Sequence, residues 1–173
     1  MINSAKTKLR DRAIFYVLLG TGIRISECVG LNISDVDLMN DSLGIIRKGG
    51  DYDEVYFSED VEDAIREYLD LERDSLEPET DALFVSSSHG RLTDRAIENL
   101  VSKYVKAAGI NKHIKVHTLR ATYATEIYNE TNDVYMVKDA LHHASLNTSK
   151  HYVSGREDRK RKAARAVRGL FNT

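Results

Sequence analysis

At 173 residues the chain is the size of one ordinary domain, long enough to bury roughly 70% of its extended surface without a disulfide or a metal. Hydrophobic residues make up 42% and charged residues 30%, a globular balance. Cys28 stands alone, which excludes an intrachain disulfide and points to a reducing, cytoplasmic setting; the longest apolar run, Ala13 to Leu19, is too short for a membrane span or a signal-peptide core. The formal net charge of −2 argues weakly against nucleic acid, but it hides an asymmetry: residues 150–173 carry +6 and residues 1–149 carry −8. A nearly neutral chain divided in this way can still present a basic surface.

Taken in chain order, residues 6–20 read as a helix, because Ala13, Ile14, Val17 and Leu18 recur at three- and four-residue spacing before Gly20 and Gly22. A short helix is expected over 25–31. Residues 43–47 and 54–58 read as strands joined by a hairpin loop, Lys48 to Asp53. Ser58 is placed to cap a helix whose apolar face is Val61, Ala64, Ile65, Tyr68 and Leu69. Residues 83–86 are a short strand candidate. Thr93 can cap a helix with the face Ile97, Leu100, Val101, Tyr104 and Val105, closed by Gly109. Residues 118–128 are helical in pattern, a further helix starts at Asp133 and ends near Leu141, and weaker helical patterns cover 147–152 and 157–169. The fold class is therefore α+β, mainly α-helical with a small antiparallel sheet in the first half.

Four separated segments carry chemistry-bearing side chains. They are Gly22-Ile23-Arg24-Ile25-Ser26-Glu27, the hairpin loop with Lys48-Gly49-Gly50, His117-Thr118-Leu119-Arg120, and the run from Leu141 to Tyr152 with His142, His143 and His151. Tyr152 lies nine residues after His143, and Lys48 lies 24 after Arg24. In this order and at this spacing they resemble the catalytic domain of the tyrosine recombinase, or phage integrase-like, family. The family pattern is an Arg in a G-x-R-x-S-E turn, a Lys in a hairpin, an H-x-x-R on a helix, and an L-G-H followed by a Tyr. The resemblance extends over nearly all of the chain; each motif alone is weak, and five in order are specific.

That resemblance implies an enzyme that cleaves and rejoins double-stranded DNA through a covalent 3′-phosphotyrosine, with no metal and no nucleotide or other cofactor. Cutting a phosphodiester in this way needs a nucleophile, charge stabilisation and a proton donor. By carry-over Tyr152 is the nucleophile; forming a phenolate at pH 7 costs about 4 kcal/mol, which a nearby cation or base must offset. Arg24 and Arg120 grip the non-bridging oxygens, since guanidinium is always charged and offers a planar fork to phosphate. Lys48 protonates the leaving 5′-oxygen, His117 acts as base or proton relay, and His143 aligns the phosphate. Glu27, three residues after Arg24, orients it. His117 and Arg120 are three apart and so share one helical face.

The usual Gly before the second His of the pattern is His142 here, a residue type that tolerates the left-handed conformation better than most. The hairpin is acidic at Asp51, Asp53 and Glu54, where relatives often carry basic residues. The histidines near 142–151 do not read as a metal site, because adjacent histidines cannot easily face one ion from a regular helix. The 156–173 tail combines basic residues with the stripe Ala163, Ala164, Val167, Leu170 and Phe171, and reads either as a helix that docks on a neighbouring protomer or as plain surface. The family works as a homo-tetramer on DNA, usually with a further N-terminal core-binding domain. Residues 1–173 hold the catalytic domain alone, so an excised domain or a short protein is expected, monomeric and weak in DNA binding by itself. Two alternatives stay open: a DNA-relaxing enzyme of the type IB topoisomerase kind, and a non-catalytic DNA-binding module.

Overall fold

The computed structural model describes residues 8–112, 114–141 and 153–171, apart from the side chains of 153–156. His142, His143, His151 and Tyr152, and the helix expected over 147–152, lie outside the described residues.

The elements in order are α1 (Leu9–Thr21), α2 (Ile25–Gly30), β1 (Val36–Asp37), β2 (Ser42–Ile46), β3 (Tyr52–Tyr56), α3 (Glu59–Tyr68), α4 (Asp94–Ala107), α5 (Val116–Thr131), α6 (Val134–Leu141) and α7 (Val153–Ala166), with a 3₁₀ segment Val167–Phe171 after α7. The fold is mostly helical with one three-stranded antiparallel sheet, in the order β1-β2-β3. α1 is apolar around most of its circumference, and it is correspondingly central: Ala13 to Leu18 are all buried, and α3 and α5 pack against it. At its end Gly22 adopts φ +62°, and its N–H donates to the Leu18 carbonyl (3.2 Å). A side chain there would be strained by the left-handed backbone and would also run into the Tyr123 ring.

The apolar stripe of α3 faces inward as its spacing requires: Val61, Ala64, Ile65 and Tyr68 are buried, each larger side chain contributing about 1.5–3 kcal/mol. Ser58 stands at the N-cap as expected, but its hydroxyl makes no capping bond and is buried without a hydrogen-bond partner among the described residues. Thr93 does cap α4, accepting from the Ala96 amide (3.2 Å). Asp133 caps α6 through bonds from the Tyr135 and Met136 amides (2.8 and 3.1 Å). Residues 83–86 form only an isolated bridge, Val85 to Arg91, and Ala82 bridges to Asn32, so this stretch is a clamp rather than a strand.

β2 pairs with β3 from Ser42↔Tyr56 to Ile46↔Tyr52. The second strand therefore begins two residues before the expected 54, and the hairpin loop is shorter. Asp53 and Glu54 sit within the strand because their carboxylates find partners there: Arg47 and Lys160 for Asp53, Ser42 and Tyr56 for Glu54.

The main core gathers α1, α3, α4, the sheet and the clamp, and includes the fully buried thiol of Cys28. A smaller cluster of Tyr123, Ile127, Met136, Ala140, Leu141, Ala163 and Val167 joins α5, α6 and α7. The tail's apolar stripe is thus covered within the chain: Ala163, Ala164, Val167 and Phe171 are buried, and the Phe171 ring stacks on Tyr16 at 4.3 Å. Among the described residues no helix is long and apolar enough to cross a membrane.

Candidate active site

The Gly22 turn ends α1 and delivers Arg24 to the start of α2. Glu27, in the first turn, accepts from the Arg24 amide through Oε2 (2.7 Å) and from Arg24 Nη1 through Oε1 (2.9 Å). One carboxylate therefore fixes both the backbone and the guanidinium of the same arginine. The Glu27 side chain is 3% exposed while that of Arg24 is 40% exposed, so the arginine's remaining donors face solvent.

Glu27 also holds a second arginine that the sequence reading passed over. Arg47 continues the inward alternation of Leu43 and Ile45 along β2, and its buried guanidinium donates to Glu27 Oε2 (3.0 Å). Its Nε and Nη2 donate to Asp53 Oδ2 (3.1 and 2.9 Å). The other oxygen of Asp53 meets Lys160 Nζ of α7 at 2.5 Å, and Lys160 also donates to the Glu54 carbonyl (2.6 Å). Burial alone would raise the Glu27 carboxyl. The Arg24 amide and the Arg47 and Arg24 guanidiniums outweigh it and hold the group below the usual carboxylate range. Asp53 is likewise held low, its burial offset by Lys160 and Arg47.

Arg120 lies one turn into α5. Its Nη1 donates to the Gly22 carbonyl and its Nη2 to the Leu141 carbonyl (2.7 Å). It thus ties the Arg24 turn to the last residue of α6, immediately before the segment with His143 and Tyr152. Among the described residues no carboxylate pairs with it. Desolvation first, then the positive charge of Arg24 and Arg47, push its pKa down to about 10, with Glu27 only partly offsetting them. The guanidinium stays charged at neutral pH, in a site short of negative charge.

Arg24, His117 and Arg120 line one cleft of about 860 Å³ between α2, α4 and the start of α5. Arg95, Lys106, Lys112 and Lys115 line it too, and Glu98 is the one carboxylate among its described lining residues. The structure therefore brings together three of the six residues marked as catalytic, and Glu27 behind them. Lys48 is exposed in the hairpin turn next to Arg47 and is not among the cleft-lining residues. His143 and Tyr152 are outside the described residues. Among the described residues no group of three or more His, Cys, Asp or Glu is arranged to hold a metal ion. A cleft with this lining can hold a doubly anionic oxygen centre such as phosphate, with guanidinium forks on it and an imidazole beside it.

Known proteins resemble the chain in sequence and in fold. The chain is 34% identical over 168 residues to the tyrosine recombinase XerC of Oceanobacillus iheyensis, covering 94% of this chain and 55% of that protein. It is 39% identical over 145 residues to the tyrosine recombinase XerD of Corynebacterium glutamicum, covering 83% of this chain and 48% of that one. The chain thus spans about half the length of the curated relatives it matches. Among solved structures, the XerA recombinase superposes with a TM-score of 0.76 at 32% identity, over 99% of this chain and 60% of that one. The XerH site-specific recombinase bound to its difH substrate superposes with a TM-score of 0.71, also at 32% identity, over 87% and 44%. The sequence model of the phage integrase family matches residues 1–159, and with these relatives it establishes that the chain belongs to that family.

Proposed function

We propose that this chain is the catalytic domain of a site-specific DNA recombinase, cutting and resealing DNA through a covalent 3′-phosphotyrosine. The observation that carries the reading is the meeting of Arg24 and Arg120, 96 residues apart in sequence, on one basic cleft with His117. Two guanidiniums on the non-bridging oxygens of a phosphodiester gain strength as charge accumulates there in the transition state. Arg120's shortage of nearby negative charge favours anion capture. The Tyr152 phenol oxygen forms the new bond to phosphorus as the 5′-oxygen leaves; His117 takes the phenol proton, Lys48 supplies a proton to the leaving oxygen, and His143 aligns the phosphate. The tyrosyl ester conserves the bond, so a second 5′-hydroxyl reverses the step and no nucleotide is consumed. Double-stranded DNA is the substrate and partner, in keeping with the DNA-bound XerH relative. The working assembly is a homo-tetramer, the isolated domain is a monomer, and the protein acts in the cytoplasm.

The deciding experiment traps the covalent complex. The protein is mixed with nicked duplexes selected from a randomised pool by their binding to it, then denatured with detergent and chelator and run on a denaturing gel. A slow band that survives the chelator and disappears in Tyr152→Phe is the expected result. Absence of the band from the wild type, or its persistence in Tyr152→Phe, overturns the reading.

A further inference from the structure

Five charged groups of alternating sign run from the cleft into the body of the protein: Arg24, Glu27, Arg47, Asp53 and Lys160. They come from three separate parts of the chain, namely the start of α2, the β2–β3 hairpin, and α7. Only the Arg24 end is well exposed. The other end, Lys160, belongs to the helix that follows Tyr152 by one residue, and it reaches across to both Asp53 and the Glu54 carbonyl. We propose that Asp53 and Lys160 are positioning residues for the phosphate site: the seating of α7 on the hairpin through this pair sets the aim of Arg24. The inference rests on the reading of the cleft as a phosphodiester site.

Stability alone does not account for such a chain. Buried ion pairs gain little over an apolar packing of the same volume, because desolvation consumes most of the attraction. What the arrangement supplies is direction. Asp53 Oδ2 takes two donors of Arg47, leaving Nη1 for Glu27. Glu27 can then give Oε1 to Arg24 Nη1 while Oε2 serves the Arg24 amide and Arg47. Without the Asp53 charge, Glu27 is the one acid left to Arg47 among the described residues. It competes for the carboxylate that holds Arg24, and the exposed fork loses its fixed orientation. Without the Lys160 ammonium, Asp53 loses the cation on its Oδ1 side and pulls harder on Arg47 from the other side. The same anchor governs the turn that carries Lys48, since the Arg47 backbone pairs with Asp51 (2.8 Å) and Gly50 (2.9 Å). The helix that follows Tyr152 in sequence, the Arg24 turn and the hairpin with Lys48 thus share one set of contacts.

The test uses Asp53→Asn, Lys160→Met and Lys160→Arg with two readouts. One is the single-turnover rate of covalent-complex formation on a nicked duplex, across DNA concentrations. The other is the affinity for inorganic phosphate, followed through the Arg24 side-chain Nε–H resonance, assigned with Arg24→Lys. Asp53→Asn and Lys160→Met should slow the step at saturating DNA by about fivefold or more, with the half-saturating concentration changed by less than about twofold. Both should weaken phosphate binding by about threefold or more, the double variant should be no worse than the worse single one, and Lys160→Arg should recover both properties. Rates and phosphate affinities within about twofold of the wild type in both charge-removing variants, whatever the change in melting temperature, overturn the proposal. If the wild type forms no covalent complex, the functional reading falls, and phosphate affinity alone decides the positioning claim. If Asp53→Asn fails to fold, Lys160→Met, which keeps an unbranched apolar stem, decides it.

Discussion

The two arginines of the cleft are held in opposite ways. Arg24 is fixed by a carboxylate that binds its amide and its guanidinium together, and that carboxylate is itself braced by Arg47. Arg120 is fixed by two backbone carbonyls, from Gly22 and Leu141, and has no acid in contact among the described residues. At the Arg24 end charge is compensated and geometry is set from behind. At the Arg120 end charge is only partly compensated and the guanidinium acts as a bridge between two chain segments. A site that must attract an anion and also hold it in one orientation is served by both kinds of support, since a fully neutralised pair would attract little and an unbraced pair would aim poorly.

The strongest break of this contrast is Glu27→Gln. It keeps the shape but removes the charge on which Arg24 and Arg47 converge. Folding stability should fall by about 3 kcal/mol, read from the denaturant midpoint at constant slope, because a buried guanidinium loses half of its compensation. Next in size is Gly22→Ala, which attacks the Arg120 end through its carbonyl partner. The left-handed backbone and the Tyr123 ring both oppose the methyl group, so a loss of about 2 kcal/mol is expected by thermal or chemical unfolding. If Gly22→Ala proves neutral, the bridge is looser than described. The smallest effect separates the two ends by pH. Glu27 and Asp53 are held below their ordinary values in the folded state, so the unfolded chain binds more protons there. Their contribution is complete above the ordinary carboxylate range and is lost as pH falls through their lowered folded values. Below about pH 4 the wild type should therefore lose stability more steeply than Glu27→Gln, as measured by urea midpoints across a pH series. Equal slopes would remove Glu27 from the account.

Most of the scaffold was legible from periodicity. The stripes Val61-Ala64-Ile65-Tyr68 and Ile97-Leu100-Val101-Tyr104 are the buried faces of α3 and α4, and Asp133 starts α6. The motif arginines were legible because Gly22 and the i,i+3 pairing of Arg24 with Glu27 act over short range. Less was legible where partners come from distant segments. Arg47 shows only as a third inward position after Leu43 and Ile45, and nothing local says that a charge can be buried there. Lys160 reads as one more basic residue in a basic tail, because its partner is 107 residues away. The Ser58 hydroxyl fills the expected cap position without making the bond, and the two-residue β1 is too short for alternation to reveal.

Cys28 has a consequence of its own. It is the chain's single sulfhydryl, it follows Glu27 directly on α2, and burial pushes its pKa up, so it is kept from reacting while that helix stays seated. The molecule thereby contains its own clock for local opening. The pace at which an alkylating reagent marks this one sulfur counts how often the helix beneath Arg24 lifts away, with no label engineered in.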